Sequence, residues 1–132
     1  DDVINVAGHR LGTREIEEAI SAHAQIAEVA VVGVADNLKG QAALAFAVVR
    51  DAAVVAHDAG CKALEADVMK LVDSRLGAVA RPSRVIFVTA LPKTRSGKLL
   101  RRALQAVAEG RDPGDLSTME DPAALTQVQS RI

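Results

Sequence analysis

Aromatic residues are almost absent from this chain of 132 residues, which has two phenylalanines and neither tryptophan nor tyrosine. Proteins that bind single-stranded nucleic acid stack bases on aromatic rings, so the composition disfavours that function class. The hydrophobic content of 49% must instead pack as a core of aliphatic side chains and alanine. A chain of this length can bury one such core, which predicts a single globular domain.

The chain also lacks a large net charge, a second cysteine and a long apolar run. The formal net charge is −1, so no overall field draws the chain to nucleic acid or to anionic membranes. The single cysteine, Cys61, cannot form an internal disulfide; this favours a reducing compartment, and we expect the cytoplasm. We find no membrane-spanning run and no signal peptide, so we expect no membrane partner. Because the chain begins at Asp1 rather than at methionine, we interpret it as part of a longer polypeptide.

The apolar pattern predicts a small α/β (α+β) domain with a three-stranded sheet. Strand-like segments occur at residues 28–35, 42–49 and 84–89, and they are rich in β-branched residues. The polar turn at residues 36–41 predicts that the first two form an antiparallel hairpin. Both are apolar on both faces, which predicts a sheet flanked by helices on both sides.

Three further segments have the periodicity of amphipathic helices. The first is predicted to begin at Thr13, as its cap, and to run to about residue 23. The second has an apolar stripe from Leu64 to Leu76 and should end at Gly77, after a loop that ends near residue 62. The third follows the motif at residues 92–98 and should reach about Glu109. The main domain, which we place at residues 1–110, ends with this helix.

The ends of the chain predict two accessory pieces. Residues 3–6 form a short strand pattern, and a tight turn follows, which predicts an N-terminal β-hairpin-like element. Glycine and proline interrupt residues 111–132, which predicts an extended C-terminal arm with room for regular structure only at about residues 123–129.

A basic run at residues 91–102 is the most concentrated local feature. Its cations are Lys93, Arg95, Lys98, Arg101 and Arg102. Ser96 is a candidate helix N-cap, which would put Lys98 in the first turn of the last helix. The helix dipole disfavours a cation there by about 0.5 kcal/mol, and a bound anion would compensate. The run is not a Walker phosphate loop, because Pro92 stands where that pattern needs glycine and Leu99 where it needs serine or threonine.

Taken on charge alone, the basic run has three interpretations. It is either a solvated surface turn or an anion-binding site, the latter in a stand-alone anion- or partner-binding module; a nucleic-acid patch is the weaker alternative. The histidines His9, His23 and His57 match no zinc spacing, so we expect no metal site built by this chain. No catalytic triad is legible in the sequence.

Three motifs, in the right order, resemble the C-terminal domain of acyl-CoA synthetases. They are Asp-Asp-Val-Ile-Asn-Val-Ala-Gly-His-Arg-Leu-Gly-Thr at residues 1–13, Glu-Val-Ala-Val-Val-Gly-Val at residues 28–34 and Pro-Lys-Thr-Arg-Ser-Gly-Lys at residues 92–98. These enzymes belong to the acyl-adenylate-forming superfamily, together with luciferases and nonribosomal-peptide adenylation domains. The tail at residues 109–122 resembles the members that activate acetate or propionate, and residues 72–77 are more similar to the propionate type.

The resemblance implies a two-step reaction of the full-length enzyme. A short-chain carboxylate and MgATP give acyl-adenylate and pyrophosphate, and coenzyme A then displaces AMP to form the thioester. The implied cofactors are therefore ATP/AMP, coenzyme A and Mg²⁺, none of them bound by this fragment alone, which we expect to be inactive. The N-terminal domain of the same polypeptide holds most of the pocket, and the small domain is a lid with one orientation for each step. The alternative within the superfamily is an adenylation domain that acts on a carrier protein.

The resemblance also implies roles for individual residues. Lys98 matches the catalytic lysine of adenylation, which in short-chain relatives loses its charge when a lysine acyltransferase modifies it and regains it through a deacylase. Asp1 matches the interdomain hinge, with residues 1–2 at that hinge. Arg10 matches a residue that faces the nucleotide phosphate in the thioester orientation. Gly8 and Ala7 match the coenzyme A tunnel.

One position departs from the acetate-type pattern. Those members carry an arginine near position 73 that contacts the coenzyme A nucleotide, whereas this chain has Asp73 and places Arg75 two residues later. Residues two apart do not share a helix face, so Arg75 is a doubtful substitute for that contact.

Overall fold

The computed structural model describes residues 3–132, and every structural statement below concerns those residues. It contains five strands, four α-helices and two short 3₁₀ segments at Ala52–Val55 and Ala78–Ala80. The strands are β1 (Val3–Val6), β2 (His9–Gly12), β3 (Ile26–Asp36), β4 (Gly40–Val49) and β5 (Arg84–Phe87). The helices are α1 (Thr13–Ser21), α2 (Asp58–Leu76), α3 (Arg101–Ala108) and α4 (Pro122–Arg131). The predicted α/β class is confirmed.

β4 is the central strand of the sheet, and β3 is its hairpin partner. The two strands are antiparallel, as the polar turn predicted, with Val31 opposite Ala45. β5 pairs in parallel with β4. The N-terminal hairpin is joined to the same sheet, because Val6 of β1 pairs with Gly40 at the start of β4. The predicted three-stranded sheet therefore has five strands, since the backbone groups at the start of β4 are available to β1.

Helices cover both faces of the sheet, as the two-sided apolar strands predicted. Val31 and Ala45 belong to the buried cluster formed with α1 and α2. Val32 and Phe46 belong to the cluster formed with α3 and α4. Neighbouring residues of a strand point to opposite faces, so one apolar run supplies both cores.

Two helix starts differ from the sequence prediction. Gly12, not Thr13, is the N-cap of α1, because β2 runs directly into the helix; Thr13 is its first residue and is buried. α2 starts at Asp58, inside the predicted loop, because the Nδ1 atom of His57 accepts a hydrogen bond of 3.1 Å from the backbone N–H of Gly60. The predicted end of α2 at Gly77 is confirmed by its C-cap position.

The C-terminal arm is extended over only part of its length. Residues 111–118 form neither helix nor strand, but Met119 is 3% exposed, and Leu125 and Val128 are buried in the cluster under α3. Asp121 caps α4 by accepting a hydrogen bond of 3.0 Å from the N–H of Ala123. The regular structure predicted at about residues 123–129 is confirmed by α4, whose apolar side chains complete the second core.

Side chains of α3 close the outer edge of β3. Helix residues spaced four apart lie opposite every second residue of the strand. From the first to the last of these contacts, the helix and the strand each rise by about 12–13 Å. The Nη1 of Arg101 donates to the carbonyl of Val31 (2.5 Å), the Nε2 of Gln105 donates to the carbonyl of Gly33 (2.6 Å), and the Oε2 of Glu109 accepts from the N–H of Ala35 (2.8 Å). This ladder fixes α3, and with it the segment that precedes α3, along the sheet.

Candidate functional site

The motif at residues 92–98 folds into a tight hairpin, not into the start of a helix. The backbone N–H of Thr94 donates to the carbonyl of Lys98 (2.8 Å), and Gly97, at φ +90°, donates to the carbonyl of Thr94 (2.9 Å). The N-cap of α3 is Leu100, so the predicted cap at Ser96 is wrong. A left-handed residue at Gly97 is incompatible with a continuous helix, and Lys98 therefore lies before α3 rather than in its first turn.

The ammonium group of Lys98 is open to solvent. The residue is exposed, and its backbone N–H donates to the Oγ1 of Thr94 (3.1 Å). Within residues 3–132, the ammonium has no hydrogen-bond or ion-pair partner. The side chain is thus neither buried against its own domain nor neutralised by a nearby acid, and it can meet an anion brought from outside.

Other cations of the same run have structural partners. The Nζ of Lys93 forms an ion pair with Glu28 of β3. Arg101 pairs with Glu17 of α1 at 3.0 Å while it also caps the edge of β3. The run therefore contains two paired cations, Lys93 and Arg101, and three exposed ones, Arg95, Lys98 and Arg102.

An open hollow lies beside Lys98. The turn and the C-terminal segment line it together, with Thr94, Arg95, Ser96, Lys98, Ser117 and Thr118. The Oγ atoms of Thr94 and Ser96 are 2.9 Å apart, so hydroxyl groups and positive charges share one surface. This combination of donors suits a phosphate or a carboxylate.

Ala7 and Gly8 form the tip of the β1–β2 hairpin. Both have positive φ, +50° for Ala7 and +84° for Gly8, and the N–H of Ala7 donates to the carbonyl of Lys39 (2.9 Å). A non-glycine residue in this conformation is strained by roughly 1 kcal/mol or more, and such strain concentrates at functional sites. A Cβ atom on Gly8 would meet nothing within 4 Å, so space beside this tip is open.

The hairpin places Arg10 on the exposed edge strand β2, opposite Asn5 of β1. Arg75 is exposed in the last turn of α2, one turn before the segment that lines a groove with Ala7 and Lys39. Arg75 therefore lies at the same end of the molecule as the hairpin tip, although its side chain leaves α2 in a different direction from that of Asp73. Asp1 lies outside the described residues.

The two candidate regions lie at opposite ends of the sheet. Lys93 contacts Glu28 at one end of the β3–β4 hairpin, whereas Ala7 contacts Lys39 at the turn that joins Asp36 to β4. The strand from Glu28 to Asp36 rises about 26 Å. One reacting group therefore cannot lie against both regions at once.

His23, His57 and Cys61 have local structural contacts. His57 caps α2, and the Nδ1 of His23 accepts from the N–H of Gln25 (3.1 Å). The Sγ of Cys61 donates to the carbonyl of Val55 (3.3 Å). Within residues 3–132 no three His, Cys, Asp or Glu side chains are grouped as metal ligands. No helix in the same part of the chain combines the length and apolar character needed to cross a bilayer.

The sequence did not predict the residues that hold the turn of Lys98 from other parts of the chain. Glu28, Thr118 and Met119 are remote in sequence from the turn they contact, so no local pattern links them. The only available signal was Met119 itself, an isolated apolar residue within a polar stretch.

A family profile described as AMP-binding enzyme C-terminal domain matches residues 15–98, from α1 to Lys98. The chain belongs to this family. The AMP-binding C-terminal domain is 59% identical over 132 residues to propionate–CoA ligase of Escherichia coli K12, covering 100% of this chain and 21% of that protein. It is 47% identical over 131 residues to acetyl-coenzyme A synthetase of Deinococcus radiodurans, covering 98% of this chain and 19% of that protein.

A solved structure agrees with this assignment. The crystal structure of Brucella canis acyl-CoA synthetase is similar at a TM-score of 0.68 and 36% identity, over 79% of this chain and 18% of that chain. The AMP-binding domain thus spans about a fifth of the length of the curated relatives named here. The resemblance derived from the three motifs is confirmed.

Proposed function

We propose that this domain is the catalytic lid of an ATP-dependent, AMP-forming short-chain acyl-CoA ligase, and that Lys98 supplies the positive charge for adenylation. The observation that carries the proposal is the exposed, unpaired ammonium of Lys98 on a hairpin that is itself held firmly to the core. Such a group is available to a pocket on another domain. The open turn at Ala7 and Gly8 lies at the far end of the sheet, which suits a second step in a second orientation.

In the first step, a carboxylate oxygen of the acid attacks the α-phosphorus of ATP. A new P–O bond forms, the bond to pyrophosphate breaks, and the magnesium ion enters with the nucleotide. Two anionic groups must approach each other, and a positioned ammonium stabilises the charge that develops between them. Losing such a group costs about 10²-fold or more in rate.

In the second step, the opposite end of the domain faces the active site. Coenzyme A attacks the acyl carbonyl through its sulfur, and AMP leaves. Gly8 and Ala7 line the passage of the pantetheine arm, Arg10 faces the nucleotide phosphate, and Asp1 is the hinge for the rotation. Arg75 is the candidate on α2 for the coenzyme A nucleotide.

Propionate is the proposed acid, with acetate as the alternative. Support comes from the higher identity to a protein named propionate–CoA ligase, 59% against 47% for one named acetyl-coenzyme A synthetase. Action on a carrier protein is a second candidate. An assay that compares thioester formation on free coenzyme A with thioester formation on a carrier protein distinguishes the two functions. A stand-alone anion-binding module is less well supported, because the relatives are about five times longer than this chain.

The exposure of Lys98 also supports a regulatory partner. An acyltransferase can reach its ammonium, acylation removes the charge, and a deacylase restores it. We place the enzyme in the cytoplasm on the basis of the single unpaired cysteine.

The test is Lys98→Ala in the full-length enzyme. ATP–pyrophosphate exchange should fall at least about 10²-fold, while thioester formation from supplied acyl-adenylate should continue. Arg102→Ala is the matched control, because it removes an exposed cation of the same run that this mechanism does not use. A normal exchange rate in Lys98→Ala would overturn the assigned role.

A further inference from the structure

The segment at residues 118–120 pairs with the turn that carries Lys98. The N–H of Arg95 donates to the carbonyl of Thr118 (3.3 Å), and the N–H of Glu120 donates to the carbonyl of Lys93 (2.9 Å). Between these bonds, Thr94 and Met119 form an antiparallel bridge. A second antiparallel bridge joins Lys93 to Leu99 on the other side.

Residues 93–95 are therefore the middle of three short paired segments. One neighbour is the segment at residues 98–99, which contains Lys98, and the other is the segment at residues 118–120. A two-stranded hairpin alone is marginally stable in water, and a third strand or packing against a core is needed to hold it. The C-terminal segment supplies both.

Met119 joins this segment to the core. It is 3% exposed and belongs to the buried cluster that contains Leu91, Leu104 and Leu125. Its neighbours Thr118 and Glu120 are exposed. One buried side chain thus fixes the segment, and the backbone of the segment fixes the turn.

We propose that the segment at residues 118–120, anchored by Met119, is a positioning element for Lys98 in adenylation. Met119 is buried and acts through the turn rather than on the substrate. A displacement of about 1 Å can cost about 10²-fold in rate, so a loosened turn should slow the step that uses Lys98. Thioester formation, the step that we assign to the region of Gly8, should be unaffected because that region lies at the other end of the sheet. The proposal rests on the proposed role of Lys98.

The first experiment compares Met119→Ala with Leu125→Ala in the full-length enzyme. Both variants remove a buried side chain from the same cluster, but Leu125 lies within α4 and outside the paired segment. With both enzymes folded, Met119→Ala should lower kcat for ATP–pyrophosphate exchange about 10-fold or more, and Leu125→Ala should leave it near normal. Thioester formation from supplied acyl-adenylate should be unchanged in both.

A second comparison avoids the core. Glu120→Pro removes the N–H that bonds to Lys93, whereas Glu120→Ala keeps it at the same exposed position. Exchange should fall several-fold in the proline variant only. Exchange at the normal rate in both Met119→Ala and Glu120→Pro would overturn the positioning role.

A double-mutant cycle separates this proposal from the proposed function. If Met119 acts through Lys98, Met119→Ala should cause no further loss of exchange in a Lys98→Ala background. An additive loss there would contradict the positioning role. If Lys98→Ala alone left exchange intact, the proposed function would fail instead, whatever the Met119 variants did.

Discussion

Two lysines five residues apart differ in whether their ammonium groups are paired. Lys93 is held by Glu28, which precedes it by 65 positions, whereas the ammonium of Lys98 faces solvent. The composition of the basic run does not distinguish them, because the difference arises from what β3 places beside each one. At the scale of the residue, the proposed role of Lys98 requires an ammonium without a partner, which Lys93 cannot supply.

Gly8 offers a test at the same scale. In the full-length enzyme, Gly8→Leu should spare ATP–pyrophosphate exchange and block the coenzyme A step, because the side chain would enter the open space beside the hairpin tip. Gly114→Leu is the control, since Gly114 has nearly the same φ (+83° against +84°) and also meets nothing within 4 Å. Equal losses in the two half-reactions of Gly8→Leu would argue against a passage at this point.

At the scale of the element, α3 protects the exposed edge of β3. An uncovered strand edge is a template for pairing with another chain, and the side-chain ladder from α3 occupies those backbone groups. Glu109 is the last member of the ladder. A hydrogen bond from Arg111, and then the N–H of Ala35, hold the pKa of the Glu109 carboxyl below its usual value of 4.5.

This lowered pKa predicts a pH-dependent contribution of Glu109 to folding. A carboxyl whose pKa is lower in the folded than in the unfolded chain stabilises the fold above the unfolded value, and the stabilisation is lost as the pH falls through the folded value. Glu109→Gln should therefore be less stable than the parent at pH 7, and the difference in stability should narrow as the pH falls below 4.5 and through the lower pKa of the folded state. The midpoints of urea unfolding of both proteins at pH 7, 5 and 3 measure this difference in stability.

The control for this experiment is internal. The carboxyls of Asp36 and Asp115 also have lowered pKa values, through nearby backbone N–H groups, but they are present in both proteins and cancel in the difference. A gap between parent and Glu109→Gln that stayed constant from pH 7 to pH 3 would show that the charge of Glu109 contributes nothing.

At the scale of the whole molecule, the domain carries one candidate region at each end of its sheet. The β3–β4 hairpin separates them by about 26 Å. If both regions serve one active site, as proposed above, the whole domain must rotate, because a local loop movement cannot cover that distance. The hollow beside Lys98 is lined by hydroxyl groups and cations, which can meet a carboxylate but do not select an alkyl chain. Under the proposed function, acid preference should therefore belong to the rest of the enzyme.

A domain exchange tests this division of labour. Replacing this domain in the full-length enzyme with the matching domain of an acetyl-CoA synthetase should preserve the order of kcat/KM for acetate, propionate and butyrate. The unexchanged parent and the isolated 132-residue chain, which should show no ATP–pyrophosphate exchange, are the controls. A shift of preference toward acetate after the exchange would place acid selection on this domain.

Local patterns in the sequence predicted the central elements correctly. The β3–β4 hairpin, the helices on both faces and the end of α2 at Gly77 follow from alternation, helical spacing and turn residues, which act between near neighbours. The start of α3 was missed because two signals competed. Ser96 suits a helix cap, but Gly97 in a left-handed turn lets Thr94 and Lys98 pair instead.

By itself, the sequence determined the class of the fold, through alternation and helical spacing. It also determined the family and the candidate lysine, through motifs that resemble those of known members. Only the tertiary structure decided that Lys98 is unpaired, that Met119 anchors its turn and that the glycine turn lies at the opposite end. Those facts depend on contacts between segments far apart in the chain. Packing of the two helical layers on one sheet brings such segments together, and no local pattern records it.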